Sequence, residues 1–342
     1  MRASFYERER EFSVGECVAV PPKKGEVRLE IAYCGVCGTD VHIFMGTMDS
    51  RVGRHRTIGH ECSAVVAETG EGVEGFKPGD RVVVRPLDYC GECPTCRAGF
   101  CHICQNLKFM GVDSEGAFQG SWTVDARTLH RIPDQISLQD GALIEPLAVA
   151  CHDVERAEIK RGDKAVVIGG GPIGLLVAIA ARSRGADILI SEVSEDRLKL
   201  AHDLGFDTVN PVTEDAEAAV LKRTDGAGAD VAFEVSGSQA GAELMTKIVR
   251  PRGRIVVVAI FGKTVAVDLH KFFWREYQMR GARVYEKEDF EKALSLMEEE
   301  ADDIRRLVTS IYPLSRIQEA FEKIVDGRRE MKVLIDCRKE VL

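Results

Sequence analysis

Cys37, His60 and Glu61 offer a soft, a borderline and a hard donor, a combination suited to zinc. They stand in two short segments, Cys34-Gly35-Val36-Cys37-Gly38-Thr39-Asp40-Val41-His42 and Gly59-His60-Glu61. Each residue alone says little. A single histidine is more often a hydrogen-bonded loop residue than a ligand, and a lone glutamate is usually solvated. Cys34 and Cys37 also spell C-x2-C, which can be redox active. A redox pair prefers a helix N-terminus in a βαβ setting, whereas this region reads as β-structure. The three donors together describe an open zinc site, and beside a hydride acceptor such a site can polarise an alcohol oxygen.

A second cluster is Cys90, Cys93, Cys96 and Cys104, spaced C-x2-C-x2-C-x7-C. A core cysteine normally sits among aliphatic neighbours. Here the neighbours are Gly91, Glu92, Pro94, Thr95 and Arg97, which make turns. Such turns let four sulfurs converge on one tetrahedral zinc, and a zinc closed by four thiolates has no open position, so the site is structural. The bland alternative is a set of surface thiols or a disulfide cluster. Cys101 and His102 lie within the run, and either could replace a neighbour as ligand.

The third motif is Gly169-Gly170-Gly171-Pro172-Ile173-Gly174, a G-x-G-x-x-G match directly after the apolar run Ala165 to Ile168 and before an apolar helical stretch. In that context the first glycine permits the tight turn, Gly171 admits a pyrophosphate close to the backbone and Gly174 allows close helix packing. The helix N-terminus then offers N–H groups to phosphate. Glu192 ends the next run, where a carboxylate accepts from ribose hydroxyls and repels the extra phosphate of NADP, favouring NAD. Arg197 stands nearby and softens that preference.

The elements that must position these residues change character near residue 150. Before it, short Val- and Ile-rich runs (Val27 to Ala32, Cys62 to Ala67, Arg81 to Val84) are punctuated by Gly and Pro, the mark of a barrel-like β domain. After it, strands alternate with helices: Ala165 to Ile168, a helix over Leu175 to Arg184, Ile188 to Ile190, a helix over Glu195 to Leu204, then Val231 to Val235 and Ile255 to Ala259. That alternation predicts a doubly wound parallel sheet. Helices are expected over Asp289 to Glu299 and near Ile317 to Val325, in a C-terminal part that returns to the first domain.

Composition agrees. The chain has 342 residues, enough for two domains, and its apolar and charged fractions suit a globular protein. A net charge of −9 argues against nucleic acid and anionic membranes as partners. No apolar run approaches the roughly 18 residues of a membrane span. Met1 to Arg10 is charged and lacks a signal-peptide core. Eleven cysteines, most of them clustered, without a secretion signal favour metal binding and a reducing cytoplasm.

With these motifs the chain resembles the zinc-dependent medium-chain dehydrogenase/reductase family, in its sorbitol (polyol), butanediol and threonine dehydrogenase branch. The likeness runs from about Arg28 to Asp336 and rests on CGVCGTDVH at 34–42, GHE at 59–61, the four-cysteine lobe, IEPLAV at 144–149 and GGGPIG at 169–174. It implies an α/β protein: a GroES-like β-barrel catalytic domain (1–148 and 289–342, with a structural zinc lobe at 88–106) joined to a Rossmann NAD-binding domain (149–288). The active site would lie in the cleft between them. By resemblance, Cys37 and His60 hold a catalytic zinc, and Glu61 is a ligand that exchanges with water or substrate. Glu145 either ligates directly or bonds to a water of the site, and Cys34 does not bind. Thr39 and His42 match a proton relay from the alcohol to solvent. Arg283 and Tyr285 match a stretch that contacts substrate and nicotinamide, and Phe44 and Phe109 are candidates to line the pocket.

The implied activity is transfer of hydride from a secondary alcohol of a polyol, sugar alcohol or vicinal diol to NAD, giving a ketone, with two zinc ions per chain. Threonine 3-dehydrogenase is the alternative within the branch. Other classes fare worse. A zinc-ribbon nucleic-acid module would need a basic face, and a non-catalytic NAD-binding protein would be expected to lose one of Cys37, His60, Glu61, Thr39 or His42. A homotetramer is expected by resemblance, with a dimer as the alternative. Arg254 to Ile260 and Val265 to Leu269 are candidates for the subunit contact.

Overall fold

The computed structural model describes residues 1–327 and 330–338. The chain divides by its contacts into two units, Met1–Pro146 with Glu286–Leu342, and Leu147–Tyr285. The breaks fall after Pro146 and Tyr285, where the sequence suggested 148 and 288. The second break comes early because Glu286 is already the N-cap of the following helix. Within the expected 289–342 segment, residues 328–329 and 339–342 lie outside the described residues.

In the first unit, β1 (Arg2–Arg8) and β2 (Glu11–Glu16) form an antiparallel pair. The central strand is β3 (Glu26–Gly35), ten residues long. Its first half alternates, burying Val27, Leu29 and Ile31, while everything from Ile31 to Gly35 is buried. The change follows from its neighbours. One edge carries β4 (Glu61–Thr69), which continues the sheet through β5 (Arg81–Val84). A short hairpin, β6 (Leu87–Asp88) with β7 (Lys108–Phe109), brackets the cysteine run. The other edge of β3 is shared: β8 (Ser121–Asp125) covers Glu26 to Glu30, and a C-terminal strand covers Tyr33 to Gly35. β9 (Leu129–Arg131) closes the far side on β5.

Four helices stand on the N-terminal half of this unit: α1 (Gly38–Phe44), α2 (Asp49–Val52), α3 (Pro94–Arg97) and α4 (Leu138–Gly141). A fifth, α5 (Ile144–Arg156), begins here with Glu145 in its first turn.

The second unit holds one six-stranded sheet: β10 (Lys164–Ile168), β11 (Asp187–Ser191), β12 (Asp207–Val209), β13 (Ala229–Glu234), β14 (Val249–Val257) and β15 (Gln278–Gly281). All its pairings are parallel, in the order β12-β11-β10-β13-β14-β15. Chain order reverses between β10 and β13, the switch point at which doubly wound sheets take their ligands. The crossovers are α6 (Pro172–Ser183), α7 (Glu195–Asp203), α8 (Ala216–Arg223), α9 (Gln239–Ile248) and α10 (Leu269–Arg275).

The two runs suspected of subunit contact are part core and part surface: Ile260 and Leu269 are exposed, while their neighbours pack on the second unit. Arg254 to Val257 completes β14, an inner strand flanked by β13 and β15, with Ile255 and Val256 in the unit's own core and Ile260, beyond the strand, exposed. Val265 and Val267 belong to no strand and pack against that same core.

The chain then returns to the first unit through α11 (Lys287–Glu299), α12 (Ala301–Arg305), β16 (Val308–Pro313), α13 (Ile317–Asp326) and β17 (Lys332–Asp336). β17 pairs with β3, and β16 runs parallel beside β17. Phe321 of α13 meets Phe12 at 4.8 Å, Phe44 at 5.2 Å and Phe118 at 5.9 Å between ring centroids. Phe44 is fully buried in this aromatic cluster, so it is a core residue and does not line a pocket. Among the described residues, no helix is long and apolar enough to cross a membrane.

Candidate active site

β3 ends at Gly35, and the chain turns through Val36 into α1 with Cys37 as its N-cap. The opposing strand β4 begins at Glu61, which pairs directly with Gly35, and His60 precedes it. Two neighbouring strand ends therefore carry the three donors. One ligand atom from each of Cys37, His60 and Glu61 lies within 4.8 Å of the others. His60 and Glu61 are buried, while Cys37 is half-buried.

The side chains around the three are specific. Asp40 is fully buried; its Oδ2 accepts from the Cys37 backbone N–H at 2.9 Å, and its Oδ1 stands 3.6 Å from His60 Nδ1. Such a carboxylate fixes the ring and tautomer of a metal-binding histidine. Burial opposes charge on His60, but Asp40 and then Cys37 outweigh it and hold the imidazole well above its ordinary range. The Phe109 ring meets the His60 ring edge-on at 5.0 Å.

Lys332, the first residue of β17, is 4% exposed. Its Nζ donates to Glu61 Oε2, and to the Val36 carbonyl at 3.0 Å. Burial would lower its pKa; the negative charges of Glu61, Cys37 and then Glu145 more than compensate and raise it. Glu145 is buried in the first turn of α5 and acts on Lys332, but it is not among the three donors that converge. Thr39 and His42 lie three residues apart on α1, Thr39 half-buried and His42 exposed.

The donor set fits zinc: a thiolate, an imidazole and a carboxylate leave one tetrahedral position open. The four-cysteine lobe fits as well. The sulfurs of Cys90, Cys93, Cys96 and Cys104 all lie within 4.8 Å of one another. Cys93 Sγ is 3.8 Å from Cys104 Sγ, which is 3.5 Å from Cys90 Sγ. Sulfurs bound to one tetrahedral zinc at ~2.3 Å would stand about 3.8 Å apart. The backbone N–H groups of Cys96 and Gln105 push the Cys93 thiol down to about 6, while burial and its thiol neighbours push Cys96 up. Cys101 and His102 are outside the cluster: Cys101 points to the Cys96 carbonyl, and His102 stands 3.5 Å from Glu286.

In the second unit, β10 delivers the glycine turn at the switch point. Gly169 has φ +105, a conformation that favours glycine, and its N–H donates to Ser191 O. A Cβ on Gly174 would lie 1.9 Å from Gly169 O, so α6 can approach β10 only without one. Pro172 and Ile173 open α6, with Pro172 at N1. Glu192 follows β11 and accepts from the N–H groups of Gly170 at 2.7 Å, Val193 at 2.7 Å and Ser194 at 2.9 Å. Arg197 stands 3.7 Å from it. Beside this turn, buried Glu234 accepts from Ser236 and Gly237, and burial raises its pKa. Of the two residues matched near 281–285, Tyr285 is buried and Arg283 is exposed.

Asp40 and Lys332 were missed as site residues by sequence reasoning. Asp40 stood unassigned inside the quoted motif. Lys332 left one signal, a cation inside the apolar run Met331 to Ile335.

Comparison with known proteins agrees with this geometry. Residues 23–134 match the model of the alcohol dehydrogenase GroES-like domain, and residues 172–299 that of the zinc-binding dehydrogenases. A 2-dehydro-3-deoxy-L-galactonate 5-dehydrogenase of Pseudoalteromonas atlantica is 52% identical over 340 residues, 99% of this chain and 100% of that one. A sorbitol dehydrogenase of Halalkalibacterium halodurans is 35% identical over 95% of each chain. The crystal structure of 2R,3R-butanediol dehydrogenase from Bacillus subtilis superposes with a TM-score of 0.89 at 32% identity, over 98% of this chain and 99% of that one. With the zinc donors at the strand ends and the glycine turn at the sheet's switch point, this chain belongs to the zinc-dependent medium-chain dehydrogenase family and is an oxidoreductase acting on a CH–OH group.

Proposed function

We propose that the enzyme oxidises a secondary alcohol of a sugar acid, 2-dehydro-3-deoxy-L-galactonate or a close analogue, at C5, with NAD as hydride acceptor. The observation that carries this reading is the full-length 52% identity to the relative named for that acid. A polyol or vicinal diol is the second reading, favoured by the sorbitol and butanediol relatives.

We read Met1–Pro146 with Glu286–Leu342 as the catalytic unit and Leu147–Tyr285 as the NAD-binding unit. Two zinc ions per chain are proposed, one held by Cys37, His60 and Glu61, the other by Cys90, Cys93, Cys96 and Cys104. When bound, the first zinc supplies Lewis acidity toward a hydroxyl oxygen, and nicotinamide accepts the hydride. The chain's own groups do the rest. Asp40 sets a buried negative charge beside the His60 ring. Glu145 brings a second buried carboxylate near Lys332, available to hold a water of the site. The Thr39 hydroxyl relays the alcohol proton, giving up its own as it accepts, toward a cofactor ribose hydroxyl and His42, exposed on the same helix, and so to solvent. Gly169, Gly171 and Gly174 shape the pyrophosphate turn, with Pro172 and Ile173 in the first turn of α6. Glu192 accepts from the ribose hydroxyls and disfavours a 2′-phosphate, and Arg197 tempers that preference.

Eleven free cysteines support a reducing compartment and therefore the cytoplasm. The proposed assembly is a homotetramer, or failing that a dimer.

The test is production of reduced nicotinamide from 2-dehydro-3-deoxy-L-galactonate, sorbitol, (R,R)-butanediol and L-threonine, each with NAD and NADP. The sugar acid with NAD is expected to exceed the others in kcat/KM by at least about tenfold. Turnover confined to sorbitol or butanediol would establish the second reading and remove the first. Turnover on threonine alone would remove both.

A further inference from the structure

Between α1 and His60 the chain carries four basic residues in a run of six, Arg51, Arg54, His55 and Arg56. His55 meets Glu7 at 2.9 Å, Arg56 meets Glu115 at 3.8 Å, and exposed Arg54 forms no ion pair among the described residues. Arg51, on α2, is tied to the metal site through a turn. That turn, Phe109 to Asp113, packs on the segment that carries His60. Gly111 has φ +85, and a Cβ on it would lie 2.2 Å from Gly59 O and 3.2 Å from His60 Cβ. Asp113 closes the turn, its Oδ2 accepting from the Phe109 N–H at 2.8 Å. Arg51 then donates from Nε and Nη2 to the two Asp113 oxygens, at 2.7 Å each. A bidentate pair fixes the plane of the guanidinium. Its Nη1 has no partner among the described residues, and the side chain is 47% exposed, so part of the fork is left to solvent.

The sugar acid proposed above is oxidised at C5 and carries its carboxylate at C1. In an extended chain those carbons are roughly 5 Å apart, so the anion lies at the far end from the reacting carbon. The surroundings of the metal donors already hold three buried carboxylates, Asp40, Glu61 and Glu145. An acid entering such a site gains from a fixed cation at its outer end. We propose that Arg51, oriented by Asp113, is the specificity-determining residue that receives the C1 carboxylate of the substrate. This rests on the sugar-acid reading of the function. A neutral polyol has no carboxylate to offer, so Arg51 separates acids from polyols.

The test is steady-state kinetics of the full-length zinc enzyme with NAD, on 2-dehydro-3-deoxy-L-galactonate and on its neutral C1 amide. Arg51→Met is expected to raise KM for the acid by about tenfold or more, with kcat and bound zinc within about twofold of wild type. Its kcat/KM on the amide should stay at the wild-type value. Arg51→Lys keeps the charge but loses the fork, and should recover only part of the acid KM. If Arg51→Met does not fold, the lysine variant carries the test, with an acid KM raised about threefold or more. Arg54→Met removes the same charge three residues away and should leave the acid KM unchanged. An unchanged acid KM in the Arg51 variants, or an equal loss on acid and amide, would overturn the proposal and leave the substrate reading standing. An equal rise in Arg54→Met would also overturn it, assigning the effect to overall charge. A wild type that does not turn over the acid would remove the substrate reading itself, and this proposal with it.

Discussion

At the scale of single residues, the site depends on groups that stand behind its donors. Asp40 places one oxygen on the Cys37 N–H and aims the other at His60, so it links two donors from different strand ends. Asp40→Asn keeps the shape and removes the charge. Removing such a partner costs roughly 10–100-fold in metal affinity. Competition with a chromophoric chelator should show that loss for the site containing Cys37, with the four-cysteine site unchanged; equal affinity in the variant would mean that Asp40 only caps α1. The donors themselves were legible because Cys, His and Glu in short motifs have few other uses. Lys332 was not, since 271 positions separate it from Glu61 and only the sheet register brings them together. Phe44 and Phe109 show the same limit. Both are aromatic residues near the motifs, but only the fold puts one in the core and the other against His60.

At the scale of elements, two small structures do more than their length suggests. The cysteine lobe depends on turns and a four-residue helix, α3, capped by Cys93 through the Cys96 N–H. The proposed structural zinc would then be a main source of its order. Cys93→Ser should lower bound zinc from two equivalents to one by atomic emission and lower Tm, while the remaining zinc still supports turnover. Loss of both equivalents would mean that the two sites are not independent. The spacing of the four cysteines was readable because it encodes a local geometry. The exclusion of Cys101 and His102 was not, because it depends on where the short helix turns.

The other small structure is α4, whose N-cap Ser137 accepts from Asp140 N–H at 3.0 Å. Arg305 of α12 donates to both Asp140 oxygens, at 3.0 and 2.9 Å. Burial raises the Asp140 pKa, but Arg305 and then Ser137 overcome it and hold the carboxyl below its usual range. A depressed carboxyl contributes stability above its unfolded pKa of about 3.9, lost as pH falls through the folded value. Asp140→Asn should therefore cost about 1–3 kcal/mol in urea unfolding at neutral pH. The deficit should shrink progressively below about pH 4. A deficit that does not change with pH would assign the effect to the cap alone.

At the scale of the whole molecule, alternating strands and helices announced the second unit's sheet, and the order with its reversal at β10 and β13 agrees with the glycine turn. Assembly was not legible in the same way. The runs first suspected of subunit contact mix residues of this unit's core, such as Ile255, with exposed ones, Ile260 and Leu269. The surface extends that candidate. Phe273 is 76% exposed and Trp274 68%, on α10, with Leu269 and Ile260 exposed in the same segment. β15, with Met279 exposed, is the last strand of the sheet and leaves one edge unpaired among the described residues. Exposed aromatic groups next to an open strand edge invite another chain, and a protein that stays soluble normally covers such a surface. Covering it with a second copy satisfies both features at once, because a two-fold axis matches an edge to itself. A Phe273→Glu/Trp274→Glu double variant should then lower the mass seen by light scattering, while the far-ultraviolet dichroism stays unchanged. Wild-type mass in the variant would move the contact elsewhere on the molecule. A monomeric wild type would leave these aromatics facing some partner other than a second copy of this chain.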